Sequence, residues 1–524
     1  MAEWELPHLV STVHLDVSYP HSSTRHQDSF GYQEYPTFFA VKFYPYVAPG
    51  VDPFFAVTGG ADTLICRPLK AKSKGVEIIR WFKDEDKQAH LNSCAWTKDL
   101  QTGHPLICVA GSSRVIKILD VFTGELVRTL VGHGKAIGDL AVSPTSPTIL
   151  ASASEDQSIR LWSLEERHAS QPCAAILAGK GHRENIITLA FHSSGRFLLS
   201  GGLDCTINLW VLPDPLPDPE TAGTDKPTIV TYPHFATSAI HSDYVDCLAF
   251  HHDLILSKCA LEGKIVLWRI DGFSSSSTAS EIPPPPTSGE MDATRSAFGT
   301  GYQRLIQFDV PQADPFYMRF GFFNHPGKHP VLAMGNVHSR VFLWDLQQLE
   351  QRTYAGDTRA LQAIRGRGGK RVRGSGRTGG GGSFTATRSE RSSSNSSLPP
   401  PSVLLAAPSL NQGPSASSLP LGPPPPPTPS SQGPASVTTP SEHGSSFADD
   451  PPASSAETAA ATATWKRRHD ISDPFGSIQS HKTITIPKID FAVRQIAWSV
   501  GGEWMVAVGD YRVIAIFGRW DGGV

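Results

Sequence analysis

The sequence predicts an all-β chain: a β-propeller of seven four-stranded blades around a channel, with a long disordered insert between blades six and seven. Three observations predict it. A motif returns at a nearly constant spacing, with His133 to His182 separated by 49 residues and both Asp156 to Asp204 and Trp162 to Trp210 by 48. Within each copy, apolar and polar residues alternate in short runs separated by Gly, Ser, Asp and Pro, which is strand periodicity. The composition also splits, because residues 391–460 hold 16 Pro and 18 Ser and cannot bury enough apolar surface to offset chain entropy.

The repeats justify the blades in order. FFAVTGGADTLICR announces the first, and KILDV ends the second at residues 117–121. GHGKAIGDLAVSPTSPTILASASEDQSIRLWSL begins the third at Gly132, and GHRENIITLAFHSSGRFLLSGGLDCTINLWVL the fourth at Gly181. IHSDYVDCLAFHHDLILSKCALEGKIVLWRI, with His241 and Trp268, is the fifth. VFLWDL and VIAIFGRWD end the sixth and seventh. A unit of this length with GH near its start and a WD-like dipeptide at its end is the WD-repeat signature. One such sheet cannot cover its own faces, so neighbours stack radially into a ring. The expected blades are 37–80, 88–130, 131–178, 180–240, 241–272, 300–350 and 482–520. The domain boundaries are 1–36, of which LVSTVHLDV at 9–17 donates a closing strand, then 37–355, the insert at 356–478, and 479–524. A second insert, 273–298, carries Pro283 to Pro286 and reads as flexible, and Pro423 to Pro427 reads as polyproline II. His133, His182, Asp156, Asp204 and the repeat Trp residues read as blade locks rather than catalytic pairs.

Composition narrows the function. With 46 basic and 49 acidic residues the net charge is −3, so bulk nucleic-acid binding over the whole surface is not expected. No run approaches the ~18 apolar residues of a membrane helix, and MAEWELPHLV does not read as a secretory signal. Seven Cys without a CxxC read as core thiols of a reducing compartment. HExxH, GxSxG and zinc-spaced Cys pairs are absent, so neither an enzyme, a metal site nor a cofactor is expected. Arg365, Arg367, Lys370, Arg371, Arg373 and Arg377 form a Gly-spaced cationic stretch, either a DNA- or RNA-binding segment or a solvated linker. Lys466, Arg467 and Arg468 are a candidate nuclear-import cluster.

Several segments are more specific than repeat consensus. NSCAWTKDLQTGHPLICVAGSSRVIKILD, IHSDYVDCLAF, DPFYMRF, LAMGN and AVRQIAWS resemble the Polycomb EED/extra sex combs family over about 37–350 and 480–521. The resemblance implies a nuclear, non-catalytic subunit of Polycomb repressive complex 2, which methylates histone H3 at lysine 27. It implies a groove on one face for a helix of the SET-domain methyltransferase (enhancer of zeste type), alongside the other subunits of the complex. It implies an aromatic cage at the opposite channel mouth that binds a trimethylated lysine of the histone H3 tail and stimulates methylation. Carried onto this sequence, the cage falls on Phe39 of FAVKF and on Phe316 and Tyr317 of DPFYMRF, where the family usually has Trp then Tyr. The fourth wall, usually Tyr, is Asn92 here, with Tyr35 or Phe38 as alternative walls. Tyr244 and Arg494 match positions near the bound peptide. A propeller scaffold that has lost lysine reading is the competing expectation.

Overall fold

The computed structural model describes residues 5–15, 37–48, 50–70, 75–214, 226–287, 293–350 and 469–519. They form seven sheets in a ring, each with four antiparallel strands at its core. Blade one consists of Ala40–Phe43, Phe55–Gly59, Asp62–Pro68 and Val76–Lys83, in that order from the channel outward. Blades two to six occupy 91–131, 137–177, 186–237, 245–309 and 321–485. Blade seven holds three strands from 493–518 and takes His8–His14 as its outer strand, paired antiparallel to Val513–Gly518. The two ends of the chain therefore close the ring by backbone hydrogen bonds, and His8–His14 covers the Val513–Gly518 edge.

Seven apolar clusters fill the seven seams. Phe38, Val57 and Cys66 of blade one meet Val506, Val508 and Ile514 of blade seven. Ala151, Ile159 and Leu161 of blade three meet Ile186, Leu198 and Trp210 of blade four. Leu256, Ile265 and Phe308 of blade five meet Leu332, Met334 and Trp344 of blade six. Each blade thus buries both faces, which is why its second and third strands read as almost uninterrupted apolar runs, such as FLLSGG in blade four.

Three expectations about the inserts are corrected. Tyr302–Asp309, expected in blade six, pairs with Lys264–Ile270 as the outer strand of blade five. Lys482–Thr485, expected in blade seven, pairs with Arg340–Asp345 and completes blade six, so the long segment leaves and returns between that blade's third and fourth strands. The described residues of the 273–298 insert are not loose: Phe273, Ile282 and Phe298 pack in the seam of blades four and five, and Thr294–Ser296 joins blade four as a fifth strand. Blade three gains Thr228–Val230 and blade five gains Ser477–Ile478 as fifth strands, here paired parallel. In each case a link between the third and fourth strands of one blade sends its returning end to cap the outer edge of the preceding blade. Of the segment expected to be disordered as far as 478, residues 469–478 are described and include Ser477–Ile478. The rest of that segment, with Arg365, Arg367, Lys370, Arg371, Arg373, Arg377 and Lys466 to Arg468, lies outside the described residues.

The repeat signature residues lock the blades. In blade three, His133 Nδ1 lies 2.9 Å from Asp156, its Nε2 lies 2.7 Å from Ser152 Oγ, and the Trp162 indole N–H donates to the same oxygen at 2.8 Å. Blade four repeats this with His182, Asp204, Ser200 and Trp210. Blade five repeats it with His241, Ser257 and Trp268, but Glu262 replaces the Asp, with Nδ1 to Oε2 at 3.0 Å. A proton on Nδ1 and a Ser hydroxyl donating to Nε2 satisfies every group. Burial alone would raise the Asp156 and Glu262 carboxyls. Hydrogen bonds from the imidazole, nearby backbone N–H groups and a hydroxyl outweigh it and hold both well below the usual carboxylate range.

Two outcomes follow from closure and locking. Deleting residues 1–16 exposes the Val513–Gly518 edge and is expected to yield an aggregating protein with a lower midpoint of thermal unfolding. The depressed carboxyls contribute stability that is complete above the unfolded value near 4 and is lost as pH falls through their folded values. In denaturant titrations, Glu262→Gln is expected to be less stable than the parent at pH 7, and the gap to close progressively below about pH 4.

Candidate functional site at the channel mouth

The innermost strand of every blade begins at the same end of the channel, so residues at those starts form one mouth. Phe39 precedes Ala40–Phe43 of blade one, Asn92 lies in Leu91–Lys98 of blade two, and Tyr244 precedes Val245–His251 of blade five. Phe316 and Tyr317 precede Gly321–Phe323 of blade six, and Arg494 lies in Val493–Trp498 of blade seven. Links between third and fourth strands emerge at the opposite end.

The structure brings three of the expected rings together. Phe39 meets Tyr317 with centroids 5.9 Å apart and planes at 86°, and Phe316 meets Tyr317 at 6.2 Å and 83°. Two edge-to-face contacts on one tyrosine make an aromatic corner. Phe316 is two-fifths exposed, Phe39 is half-buried and Tyr317 is buried. Arg494 belongs to the same corner: its guanidinium lies 5.8 Å from the Phe39 ring centre and is held by Asp510 at 2.8 Å. Asp510 also accepts a hydrogen bond from Thr37, which ties the strand start carrying Phe39 to blade seven. Tyr244 stands at the mouth, two-fifths exposed, but makes no ring contact with the three among the described residues. Asn92, expected as the fourth wall, lies half-buried at the start of the innermost strand of blade two. Phe38 does not serve as a substitute wall, because it is fully buried in the seam of blades one and seven, and Tyr35 lies outside the described residues.

The placement of Tyr317 depends on residues that sequence reading missed. Its φ is +64°, a conformation that side-chain-bearing residues seldom adopt. Asp246 of blade five fixes it by accepting the Tyr317 backbone N–H at 2.9 Å, and that carboxylate is held by Lys258 at 3.0 Å with both side chains fully buried. The Tyr317 hydroxyl reaches across the channel and donates to the Gly138 carbonyl of blade three. Arg319 lies 4.5 Å from the Tyr317 ring centre. It pairs with Asp139 at 2.8 Å and donates to the Ile187 carbonyl at 2.7 Å. Asp139 also accepts from Ser93 and from the Leu189 N–H, so one carboxylate joins blades two, three, four and six. Burial opposes the Arg319 charge, but Asp139 beside it outweighs that and holds the group protonated. Burial pushes the Tyr317 phenol above its ordinary range, so it remains a neutral hydrogen-bond donor. The signal that could have revealed these ties is charge inside the apolar runs of DYVDCLAF, LSKCA and YMRF, where an outer surface is not available.

Two other features prove structural. His241, Cys259 and Glu262 place ligand-type atoms within 4.8 Å of one another. However, His241 and Glu262 are the blade lock, and burial pushes the Cys259 thiol far above its usual range. The Cys residues are all free, six of them buried, in accord with core thiols.

The ring of sheets, the His–Ser–Trp locks and the aromatic corner define a WD-repeat propeller with a preformed aromatic mouth. The WD domain, G-beta repeat family matches residues 124–163 and 172–211. The Polycomb protein EED of Chaetomium thermophilum is 37% identical over 99% of this chain and 97% of its own length. The Polycomb protein esc of Drosophila melanogaster is 32% identical over 52% of this chain and 61% of its own. A crystal structure of the Chaetomium thermophilum polycomb repressive complex 2 matches with a TM-score of 0.75 at 33% identity over the whole of both chains. A structure of that complex with H3K27me3 matches with a TM-score of 0.73, again at 33% identity and full coverage. The chain belongs to the EED family of Polycomb proteins.

The cross-channel ties make a stability prediction. Arg319→Met leaves the buried Asp139 carboxylate without its cation and is expected to cost about 3–5 kcal/mol in denaturant unfolding. Arg167→Ala removes the exposed partner of Glu165 and is expected to cost less than about 1 kcal/mol. Equal losses would show that the channel pair is not the tie described.

Proposed function

We propose that this chain is the non-catalytic propeller subunit of a histone H3 lysine-27 methyltransferase complex of the Polycomb repressive complex 2 type, and that its channel mouth binds a methylated lysine of the histone H3 tail. Family membership and the likeness to a chain of a solved polycomb repressive complex 2 support the first part. The single observation that carries the second is the meeting of Phe39, Phe316 and Tyr317 at one end of the channel. A methylated ammonium sheds its water at little cost and attracts the negative ring faces, each contact contributing about 0.5–2 kcal/mol. Arg494 stands beside Phe39, where it can contact the peptide flanking that lysine, and Tyr244 offers a second, exposed peptide contact.

The chain performs no bond-making itself. It holds the SET-domain methyltransferase together with the other subunits, and occupancy of the mouth by the product mark signals to that enzyme to continue. The place of action is the nucleus, on chromatin, and the Arg365–Arg377 stretch supplies a contact to nucleosomal DNA or to RNA.

The reading is tested by titrating the purified chain with an H3 peptide trimethylated at lysine 27 and with its unmodified counterpart. Saturable binding of the trimethylated peptide is expected, weakened roughly 2- to 30-fold by Phe39→Ala, as loss of one cation–π contact implies. Equal binding of both peptides, or indifference to Phe39→Ala, would leave a scaffold without lysine reading. Isolation of the tagged chain from nuclei is expected to recover a SET-domain methyltransferase.

A further inference from the structure

The fourth position of the mouth is the informative departure from an all-aromatic cage. In five blades the innermost strand carries a bulge at the mouth, where the ladder skips one residue, and the skipped residues include Asn92, Gly138 and Arg494. Residues in this slot reach the rings, since the Gly138 carbonyl accepts the Tyr317 hydroxyl and Arg494 lies over Phe39. Tyr317 touches blade one through Phe39 and blade three through Gly138. Blade two lies between them, so the slot of Asn92 flanks the ring that spans the gap.

The Asn92 amide is polar and unengaged. Its Oδ1 is shielded from solvent and has no hydrogen-bond partner, and its nitrogen forms none, among the described residues. A buried amide oxygen without a donor is costly, and native structures seldom leave one without a use. A ligand N–H placed beside Asn92 supplies the donor that this oxygen lacks.

The chemistry of the ligand then decides. A trimethylammonium has no N–H to donate. A dimethylammonium keeps two methyl groups for the rings and one N–H for a carbonyl. A hydrogen bond between a charged donor and a sheltered carbonyl is among the stronger kinds. We propose that this mouth, read as a methyl-lysine site as above, selects dimethyl-lysine over trimethyl-lysine, with Asn92 as the hydrogen-bond acceptor that sets the choice.

The test is a titration of the full chain with four H3 peptides carrying zero, one, two or three methyl groups at lysine 27. The dimethyl peptide is expected to bind at least threefold tighter than the trimethyl peptide. Asn92→Asp, which keeps an acceptor, is expected to retain that order. Asn92→Leu is expected to abolish it, and Asn92→Tyr to reverse it, with unchanged thermal midpoints as the control for folding. Trimethyl binding as tight as dimethyl in the parent, or an order unmoved in Asn92→Leu, overturns the selectivity and leaves the methyl-lysine reading intact. Failure of every methylated peptide to bind better than the unmodified one overturns the reading and the selectivity together.

Discussion

Closure is the constraint on which the rest of this structure depends. Every blade buries both faces against neighbours, so an open ring would leave two apolar sheets facing water. Pairing of His8–His14 with Val513–Gly518 removes that possibility by joining residues some five hundred positions apart. Once the ring is closed, the seven inner strand starts cannot move independently. The mouth is then a property of the whole domain rather than of any loop. That explains how six residues from five blades, most of them far apart in sequence, come to share one small region.

Within the ring, charge does the aiming. Asp139 ties four blades together and Asp246 holds Tyr317 in a backbone conformation it would otherwise avoid. Buried ion pairs of this kind add little net stability compared with an apolar core. Their contribution here is orientation: Tyr317 is fixed by its backbone N–H, its ring face and its hydroxyl before any ligand arrives. A preformed aromatic surface loses little ordering entropy on binding, which is the physical basis for expecting recognition from three rings.

Much of the fold was legible because the repeats are. GH and the terminal Trp mark where each lock must be, and the period-2 runs between them mark three strands of each blade. The outer strands were harder. Thr228–Val230, Thr294–Ser296 and Ser477–Ile478 are too short to show a period, and their partners lie in the preceding blade, so nothing local identifies them. For the same reason Tyr302–Asp309 and Lys482–Thr485 read as starts of a following blade rather than ends of the current one. At the mouth, the aromatic residues were legible through their flanking motifs, whereas Asp246, Arg319 and Gly138 were not. Asp246 and Arg319 are marked only by charge set inside apolar runs, and a carbonyl acceptor has no sequence signature at all. Glu262 was hidden similarly, because one extra methylene disguises the lock carboxylate of blade five.

The central claim is that methylated histone H3 enters this particular end of the channel and meets these particular rings. It is tested most directly by photo-crosslinking the full chain to an H3 peptide that carries a methylated lysine 27 and a diazirine beside it, followed by mapping of the adducts. The account predicts adducts clustered on the fragments containing Phe39, Phe316 to Tyr317 and Arg494. Adducts confined to the outer strands or to the opposite end of the channel would contradict it.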